Sequence, residues 1–457
     1  MPNDNLFSVT PIDGRYVSQT KSLINYFSEF ALIKTRVEVE VKWLLLISNT
    51  KSLNFIPGIP KIQQKKIVNI FEDFSIQDAR QIKKIEKKTN HDVKAVELFI
   101  VDKLKKLKLN KLCEFVHFCC TSEDINNLSY SLMLQRFLTD EFLPEINSLQ
   151  KNLNLLAKKY ANISMLAFTH GQPASPTTLG KEFSNFSYRI KFHSDLIKSL
   201  KQKGKFNGAS GNYNAHIISA KQVNWETLTR KFVNSLGIDF STHSTQIELK
   251  DAMASQLANT HNLNNVLIDF AQDIWLLISK NYLKQNLKAE EVGSSTMPHK
   301  VNPIDFENAE GNLSIANGLL IALKNKIQIS RLQRDLSDST VLRNIGSLFA
   351  YIIISLNSLK KGIAKIEPNK DIISKDLDNS WEILTEAIQI LLRKNGIEDS
   401  YAKIKSISRG KKLDYHSYIK IINDLKINKA DKELLLSLTP NNYIGLADKL
   451  AKSSFKS

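Results

Sequence analysis

One short segment holds most of the groups that could do chemistry. Residues 293–303, with the sequence GSSTMPHKVNP, place hydroxyls, an imidazole and an ammonium between two stretches of helical periodicity. Chemistry that forms a carbanion needs a group to take a proton, cationic and amide donors to hold the charge, and a loop that closes over substrate. An ordinary polar connection between two helices has the same composition, so the interpretation depends on other segments.

Four other segments combine polar side chains in a similar way. They are residues 89–92 (TNHD), 121–122 (TS), 169–173 (THGQP) and 331–343 (RLQRDLSDSTVLR). The imidazole in 169–173 is expected on a turn before a helix, where amide dipoles can bias its protonation and bind an anion. The arginines of 331–343 form a suitable cradle for phosphate or carboxylate.

Each of these segments also has a structural interpretation. His91 alone would be a surface or helix-capping histidine, and Thr121 with Ser122 would cap the helix that follows. Arg331 and Arg334 could simply pair with nearby aspartates.

Length and composition predict a globular chain of two or three domains. The 457 residues are 42% hydrophobic and 24% charged, and single hydrophobic cores rarely grow beyond about 300 residues. The longest apolar runs are far shorter than the ~20 residues of a membrane span. Because the first residues have no basic start and no apolar core, no export signal is visible, and a soluble cytoplasmic protein is expected.

Charge and cysteine usage narrow the classes further. The net charge of +17 would suit nucleic acid, but the lysines are dispersed among apolar positions, so a solvated basic surface is favoured and a small polyanionic substrate fits equally well. Cys113, Cys119 and Cys120 are odd in number and lack CxxC spacing, which argues against a disulfide framework and a zinc site.

Helical periodicity dominates the central part of the chain. Apolar residues recur three or four apart over five long stretches, and no sustained run of alternating strands is present. A bundle of long helices is predicted, and stripes of this length favour self-association. Pro144 should kink the first stretch. The stretches are 125–156, from 177 to 196, 249–277, 304–329 and 341–366.

Breaks in the pattern predict three parts. An N-terminal helical domain would cover 1–110, a central long-helix bundle with the polar loop 111–366, and a C-terminal helical domain 367–457.

Taken together, the five segments resemble the fumarase/aspartase superfamily. The resemblance runs from 10–16 (TPIDGRY) to 442–445 (NYIG) and covers nearly the whole sequence. Residues 293–303 identify the superfamily. The extension 304–312 (IDFENAEGN), with 90–94 (NHDVK) and 331–343, is similar to the branch that acts on succinylated purine nucleotides.

This resemblance implies an all-α, three-domain fold whose central long-helix bundle is shared in a homotetramer. The implied reaction is an anti β-elimination that releases fumarate from adenylosuccinate, giving AMP, and from SAICAR, giving AICAR. Active sites would be shared between subunits, and no cofactor, metal, nucleic acid or membrane is implied. Ser294 would be the general base and His170 the general acid, although spacing alone does not separate Ser294 from Ser295.

The resemblance also implies a set of substrate-binding residues. These are Arg15, Tyr16, Asn90, His91, Asp92, Thr121, Ser122, Gln246, Ser295, Lys300, Asn302, Asn308, Arg334, Ser339 and Arg343.

Several other functions remain as alternatives or are excluded. Another lyase of the superfamily, acting on argininosuccinate, aspartate or malate, is the nearest alternative. A helical scaffold or RNA-binding protein would account for the charge but not for the five polar segments. A serine hydrolase is not indicated, because the loop contains neither G-x-S-x-G nor Ser-x-x-Lys. A phosphotransferase is not indicated either, because the sequence contains no Gly-Lys-Ser or Gly-Lys-Thr.

Overall fold

A computed structural model describes residues 5–286, 297, 299–410 and 412–453. The described chain is mainly helical, as predicted. In chain order the α-helices are α1 Val17–Thr20, α2 Ile24–Phe27, α3 Glu29–Ser48, α4 Lys61–Glu72, α5 Ile76–Thr89, α6 Asp92–Lys106, α7 Ser122–Phe137, α8 Leu143–Lys159, α9 Leu179–Ser199, α10 Asn214–Ser219, α11 Trp225–Ser235, α12 Asp251–Ser279, α13 Ile304–Ile327, α14 Ser337–Leu342, α15 Ile345–Ile363, α16 Lys370–Asp378, α17 Thr385–Lys394, α18 Ser400–Ser408, α19 Tyr415–Asp424, α20 Lys429–Ser437 and α21 Ala447–Lys452.

Short elements connect these helices. The 3-10 helices are Asn5–Phe7, Lys21–Leu23, Asn110–Phe115 and Trp381–Leu384, and Leu138–Phe142 is a π-helical turn. The strands are β1 Ser164–Thr169, β2 Gln172–Thr178, β3 Lys203–Gly204, β4 Asp239–Phe240, β5 Leu283–Gln285 and β6 Ile366–Pro368. They form three two-stranded sheets: β1 with β2 and β5 with β6 antiparallel, and β3 with β4 parallel.

The described residues divide into two compact units. The first lies within Met1–Glu145, His193–Asn265 and Gly311–Asn357, and the second within Ile146–Phe192, Val266–Glu310 and Ser358–Ser457. The three-part division expected from the sequence stays a prediction.

Helix α3 is the centre of the first unit's core. Trp43 on this helix is fully buried, its indole N–H donates to the carbonyl of Phe118 at 2.9 Å, and its ring lies 4.4 Å from that of Phe206 and 5.2 Å from that of Phe232. Rings at these separations contribute beyond their buried area. The indole thus fixes α3 against three other segments of the same unit.

The same helix also buries charged side chains, and each has a partner. Glu38 accepts two hydrogen bonds from Arg136, and Glu40 lies 2.5 Å from the imidazole of His117. Arg36 is 2% exposed and donates into the polar site described below. A buried charge without a partner is strongly unfavourable, so these pairs determine which elements can pack on α3.

Pro144 disturbs the helix it was expected to kink. Helices α7 and α8 are joined by the π turn Leu138–Phe142, immediately before the proline. Proline has no N–H to donate and its ring crowds the carbonyl four residues earlier, and a π turn widens the backbone at such a point.

The stretch predicted as one helix over 341–366 is broken. Helix α14 ends at Leu342 and α15 begins at Ile345, so Arg343 lies in the turn between them. The predicted helices at 249–277 and 304–329 are confirmed as α12 and α13.

Aromatic packing joins the long helices of the second unit. The ring of Phe270 on α12 lies 5.2 Å from Phe186 and 6.4 Å from Phe183, both on α9, and 6.4 Å from Phe306 on α13. Gly362 on α15 faces the Phe306 ring so closely that a Cβ would lie 2.8 Å from its Cζ. A side chain at position 362 would therefore displace this ring.

Among the residues that the structure describes, one segment is long and apolar enough to cross a membrane by length and composition alone. It is Ser337–Ile363, and 56% of its most apolar window is buried inside the protein, as is common for core helices.

A buried histidine makes the stability of the first unit depend on pH. His216 is 0% exposed, neither ring nitrogen hydrogen-bonds to a described protein atom, and Trp225 packs edge-on at 4.9 Å. Burial is the main reason that its pKa is lowered to about 4, with Lys205 adding to the effect and Asp124 opposing it. Below its unfolded pKa of 6.5 the unfolded chain takes up the proton first, so stability falls as the pH drops from about 6.5 to 4.

Replacing this imidazole with a ring that cannot titrate should remove that dependence. We expect His216→Phe to be at least as stable as the wild type at pH 7, since an unpartnered buried N–H is lost. The difference in the free energy of unfolding between the variant and the wild type should shift by about 2 kcal/mol in favour of the variant between pH 7 and pH 5. Denaturant unfolding at both pH values measures this. His243→Phe, at an exposed histidine, is the control. Parallel pH dependence of wild type and His216→Phe would contradict the assignment.

Candidate active site

The junction of α5 and α6 presents the first group of polar side chains. Asn90 ends α5 in the left-handed conformation with φ of 51°, and its N–H donates to the carbonyl of Glu86 at 2.8 Å. His91 is the N-cap of α6, and its Nδ1 accepts the backbone N–H of Lys94 at 3.1 Å. Because Nδ1 is an acceptor, the proton of the neutral ring belongs on Nε2. The cap interpretation of His91 is confirmed, and it leaves Nε2–H available to a ligand.

Asp92 occupies the first turn of α6 and is held as an anion. One carboxylate oxygen accepts the N–H of Val93 at 2.9 Å, and the other lies 2.8 Å from the Arg36 guanidinium and 3.7 Å from that of Arg343. Burial works against this charge, but the attraction of Arg36, the two hydrogen bonds and Arg343 outweigh it and keep the pKa of Asp92 below its usual value.

The N-terminus of α7 presents the second group. Thr121 is the N-cap, and its N–H donates to Asp124 at 2.8 Å; Ser122 is the first helical residue. Asp124 is fully buried and forms an ion pair with the fully buried Lys205 at 2.8 Å. The cap expected from the sequence is confirmed, and the ion pair anchors it from behind.

Arg334 joins two further elements. Its guanidinium lies 3.1 Å from the buried carboxylate of Glu123 and donates to the Gln246 side chain at 3.1 Å. Gln246 in turn donates to the carbonyl of Ala209 at 3.0 Å. These contacts fix the direction of Arg334 before any ligand binds.

Helix α14 and the turn after it supply Ser339 and Arg343. A buried ion pair of 2.8 Å between Asp338 and Lys250 anchors α14. Arg343 remains half exposed, with 54% of its side chain accessible.

These groups surround one cavity of about 410 Å³ in the first unit. Seven of the predicted site residues line it: Asn90, His91, Asp92, Ser122, Arg334, Ser339 and Arg343. The sequence analysis missed other lining residues, which are Arg36, Glu86, Asn126, Tyr130 and Leu336. The signal for Arg36 was its place beside Val37 and one turn after Leu32 and Ile33 in α3, since a charge at a core position needs a partner.

Arg15 and Tyr16 lie outside the lining of this cavity. They follow the turn Thr10–Gly14, in which the N–H of Gly14 donates to the carbonyl of Thr10 at 3.1 Å. The Arg15 guanidinium lies 5.8 Å from the centre of the Tyr16 ring.

His170 belongs to the second unit, and its expected local setting was wrong. It forms, with Gly171, the two-residue tip of the β1–β2 hairpin, where Thr169 pairs with Gln172. Both tip residues have positive φ, 53° and 72°, as tight hairpin turns require. Helix α9 begins only at Leu179, so His170 does not lie at the N-terminus of this helix, where its dipole would act.

Lys300, Asn302 and Asn308 are also part of the second unit. The N–H of Lys300 donates to the carbonyl of Met297 at 3.0 Å, and Asn302 precedes α13. Asn308 lies on α13 and accepts a hydrogen bond from Ser358 at 2.8 Å. Ser294 and Ser295 lie outside the described residues.

Solved structures of other enzymes share the fold of this chain. The fumarate lyase from Mesorhizobium sp. BNC1 superposes with a TM-score of 0.73 at 16% identity over 94% of this chain and 96% of that one. A 3-carboxy-cis,cis-muconate lactonizing enzyme from Pseudomonas putida gives 0.70 at 19% identity, over 94% and 95%. A family model described as Lyase matches residues 14–318.

Sequence comparison narrows this class. A family model described as Adenylosuccinate lyase C-terminal matches residues 330–444. Adenylosuccinate lyases of Legionella pneumophila strain Corby and Escherichia coli K12 are 46% and 44% identical to this chain over 449 and 448 residues, 98% of each chain. The chain belongs to the adenylosuccinate lyase family.

His91 is both the N-cap of α6 and a lining residue of the cavity, and substitutions can separate these two roles. His91→Ala should lower the free energy of unfolding by about 1 kcal/mol, because the Lys94 N–H loses its acceptor. His91→Asn restores a good cap but not the ring Nε2–H, so it should keep wild-type stability and still lose at least tenfold in turnover, an order-of-magnitude expectation for a lost positioned donor. Thermal unfolding and steady-state kinetics measure the two effects. Normal turnover in His91→Asn would leave only the capping role.

Proposed function

We propose that this chain cleaves adenylosuccinate to AMP and fumarate, and SAICAR to AICAR and fumarate, in purine nucleotide biosynthesis. The observation that carries the proposal is the similarity to adenylosuccinate lyases over 98% of both chains. The arginines that line the cavity support it, because the substrates bear a phosphate and carboxylates.

The reaction itself defines what the residues must do. A proton leaves the carbon next to a carboxylate, so negative charge accumulates on that carboxylate, and the carbon–nitrogen bond then breaks as the leaving nitrogen of the nucleotide is protonated. Groups that bind the doubly charged intermediate better than the substrate accelerate the reaction. Lys300, Asn302 and the backbone amides of residues 293–294 are proposed for this role.

Proton transfer is assigned to two residues. Ser294 is proposed as the base, with Ser295 binding a succinyl carboxylate. A hydroxyl is a poor base unless amides and cations hold its alkoxide, so the assignment requires such donors around Ser294. His170 is proposed as the acid, and its exposed place at a hairpin tip supports this role because a rigid turn presents the ring without burying it. Each positioned transfer contributes roughly 10²–10⁴ in rate.

The remaining groups are proposed to hold the nucleotide. Arg334, Ser339 and Arg343 suit an oxyanion, because guanidinium groups bind phosphate and carboxylate bidentately. The amide, imidazole and hydroxyl groups suit ribose, base and succinyl oxygens; they are Asn90, His91, Thr121, Ser122, Gln246 and Asn308, with Asp92, Arg15 and Tyr16 completing the proposed set.

We propose that the site is assembled in a homotetramer from several subunits. Large apolar side chains are exposed on the long helices, and exposed apolar surface favours association. They include Tyr188 (57% exposed), Phe192 (55%), Trp275 (40%), Leu276 (49%) and Ile315 (54%). A cytoplasmic location is part of the same proposal.

Fumarate release from defined substrates tests the function. We expect purified protein to release fumarate, followed by absorbance, from adenylosuccinate and SAICAR and not from argininosuccinate, malate or aspartate. Release from one of the latter three alone would assign the chain to a sister activity. Salt-sensitive retention of RNA with no absorbance change on adding adenylosuccinate would favour the nucleic-acid alternative.

Mixed oligomers test the shared site. Ser294→Ala should abolish turnover with little effect on substrate affinity, and His170→Ala should also be inactive. If the two groups come from different subunits, random mixing restores both wild-type residues in about one quarter of the sites. Each variant remixed with itself is the control. Inactivity of oligomers demonstrably containing both variants would count against the arrangement.

A further inference from the structure

Arg36 is a buried cation that lines the polar cavity. It projects from α3, its side chain is 3% exposed, and it donates from Nε to Asn126 and from a terminal nitrogen to Asp92, both at 2.8 Å. Asp92 lies on α6 and Asn126 on α7. One planar guanidinium therefore determines the spacing of two cavity walls.

The hydrogen bonds continue from Asn126 to the far side of the cavity. Asn126 donates to Glu123 at 2.8 Å, and the same carboxylate oxygen lies 3.1 Å from Arg334. The network thus runs from Asp92 through Arg36, Asn126 and Glu123 to Arg334.

Asp92 has a second cation within reach, and this makes Arg36 important for ligand binding. Arg343 lies 3.7 Å from the carboxylate oxygen that Arg36 contacts, beyond good hydrogen-bond distance, and remains half exposed. Other titratable groups around the carboxylate are His91, 4.0 Å away, and Glu86, which lines the cavity. Without Arg36, the carboxylate would draw Arg343 into a close ion pair and remove it from an incoming anion.

We propose that Arg36 is a positioning residue that satisfies Asp92 from behind and so leaves Arg343 free to bind the anionic group of the substrate. The inference rests on the proposed function. Arg36 does not itself touch substrate; it acts through Asp92 and Arg343.

The test separates this role from simple support of the fold. Arg36→Met should raise KM for adenylosuccinate at least tenfold with kcat changed less than about threefold, because a binding group and not the proton-transfer groups is lost. Adding Asp92→Asn removes the competing charge, so Arg36→Met/Asp92→Asn should have a KM close to that of Asp92→Asn alone and lower than that of Arg36→Met. A residue that only supports the fold would instead reduce the amount of active enzyme, which lowers the apparent kcat and leaves KM near the wild-type value.

Matched variants complete the design. Arg136→Met breaks another guanidinium–carboxylate pair on the same helix, with Glu38, outside the cavity lining, and should leave KM unchanged. Arg36→Lys keeps the charge and should give a smaller rise in KM. If Arg36→Met does not fold, the double variant, which has no buried unpaired charge, and Arg36→Lys still give the comparison.

Two outcomes overturn the inference. A KM for Arg36→Met within twofold of wild type, or a double variant worse than both single variants, excludes this role for Arg36. Absence of turnover in the wild-type protein would instead count against the proposed function, so the two failures are distinguishable.

Discussion

The requirement that a buried charge have a partner organises the first unit around α3. Arg36, Glu38 and Glu40 project from this core helix. Arg36 reaches α6 and the first part of α7, Glu38 reaches the end of α7, and Glu40 reaches the turn that holds His117. Apolar packing alone would allow these elements to slide, since hydrophobic contact is not directional. Charged hydrogen bonds at 2.5–2.9 Å restrict them to one register, and the cavity depends on that register.

Helix ends contribute several of the polar groups in this cavity. Asn90, His91 and Asp92 lie at the junction of α5 and α6, and Ser122 begins α7. Helix N-termini present unpaired N–H groups and a partial positive charge, so they suit anions. Capping groups here have two tasks: His91 satisfies its helix with Nδ1 and faces outward with Nε2, which links local stability to ligand binding.

Two buried ion pairs hold these ends in place. Asp124 with Lys205 lies behind the N-terminus of α7, and Asp338 with Lys250 lies behind α14. Neither lysine has a charge available to a ligand, because each is buried in its ion pair. Net charge is thus a poor guide to the site, because much of the local positive charge is neutralised within the fold.

Periodicity and motif spacing in the sequence determined the class of fold, the positions of the long helices α12 and α13, the caps at His91 and Thr121, and the family. These features depend on neighbours three or four residues apart or on short segments, so they can be predicted from the sequence alone. Tertiary structure alone decided that residues from α3, α5–α6, α7 and α14 line one cavity, that Arg36 lies behind Asp92, that 341–366 breaks at Arg343, and that His170 is at the tip of a hairpin. The shared cavity and the place of Arg36 depend on packing between residues far apart in sequence, and the free energy of that packing is not a property of any single segment.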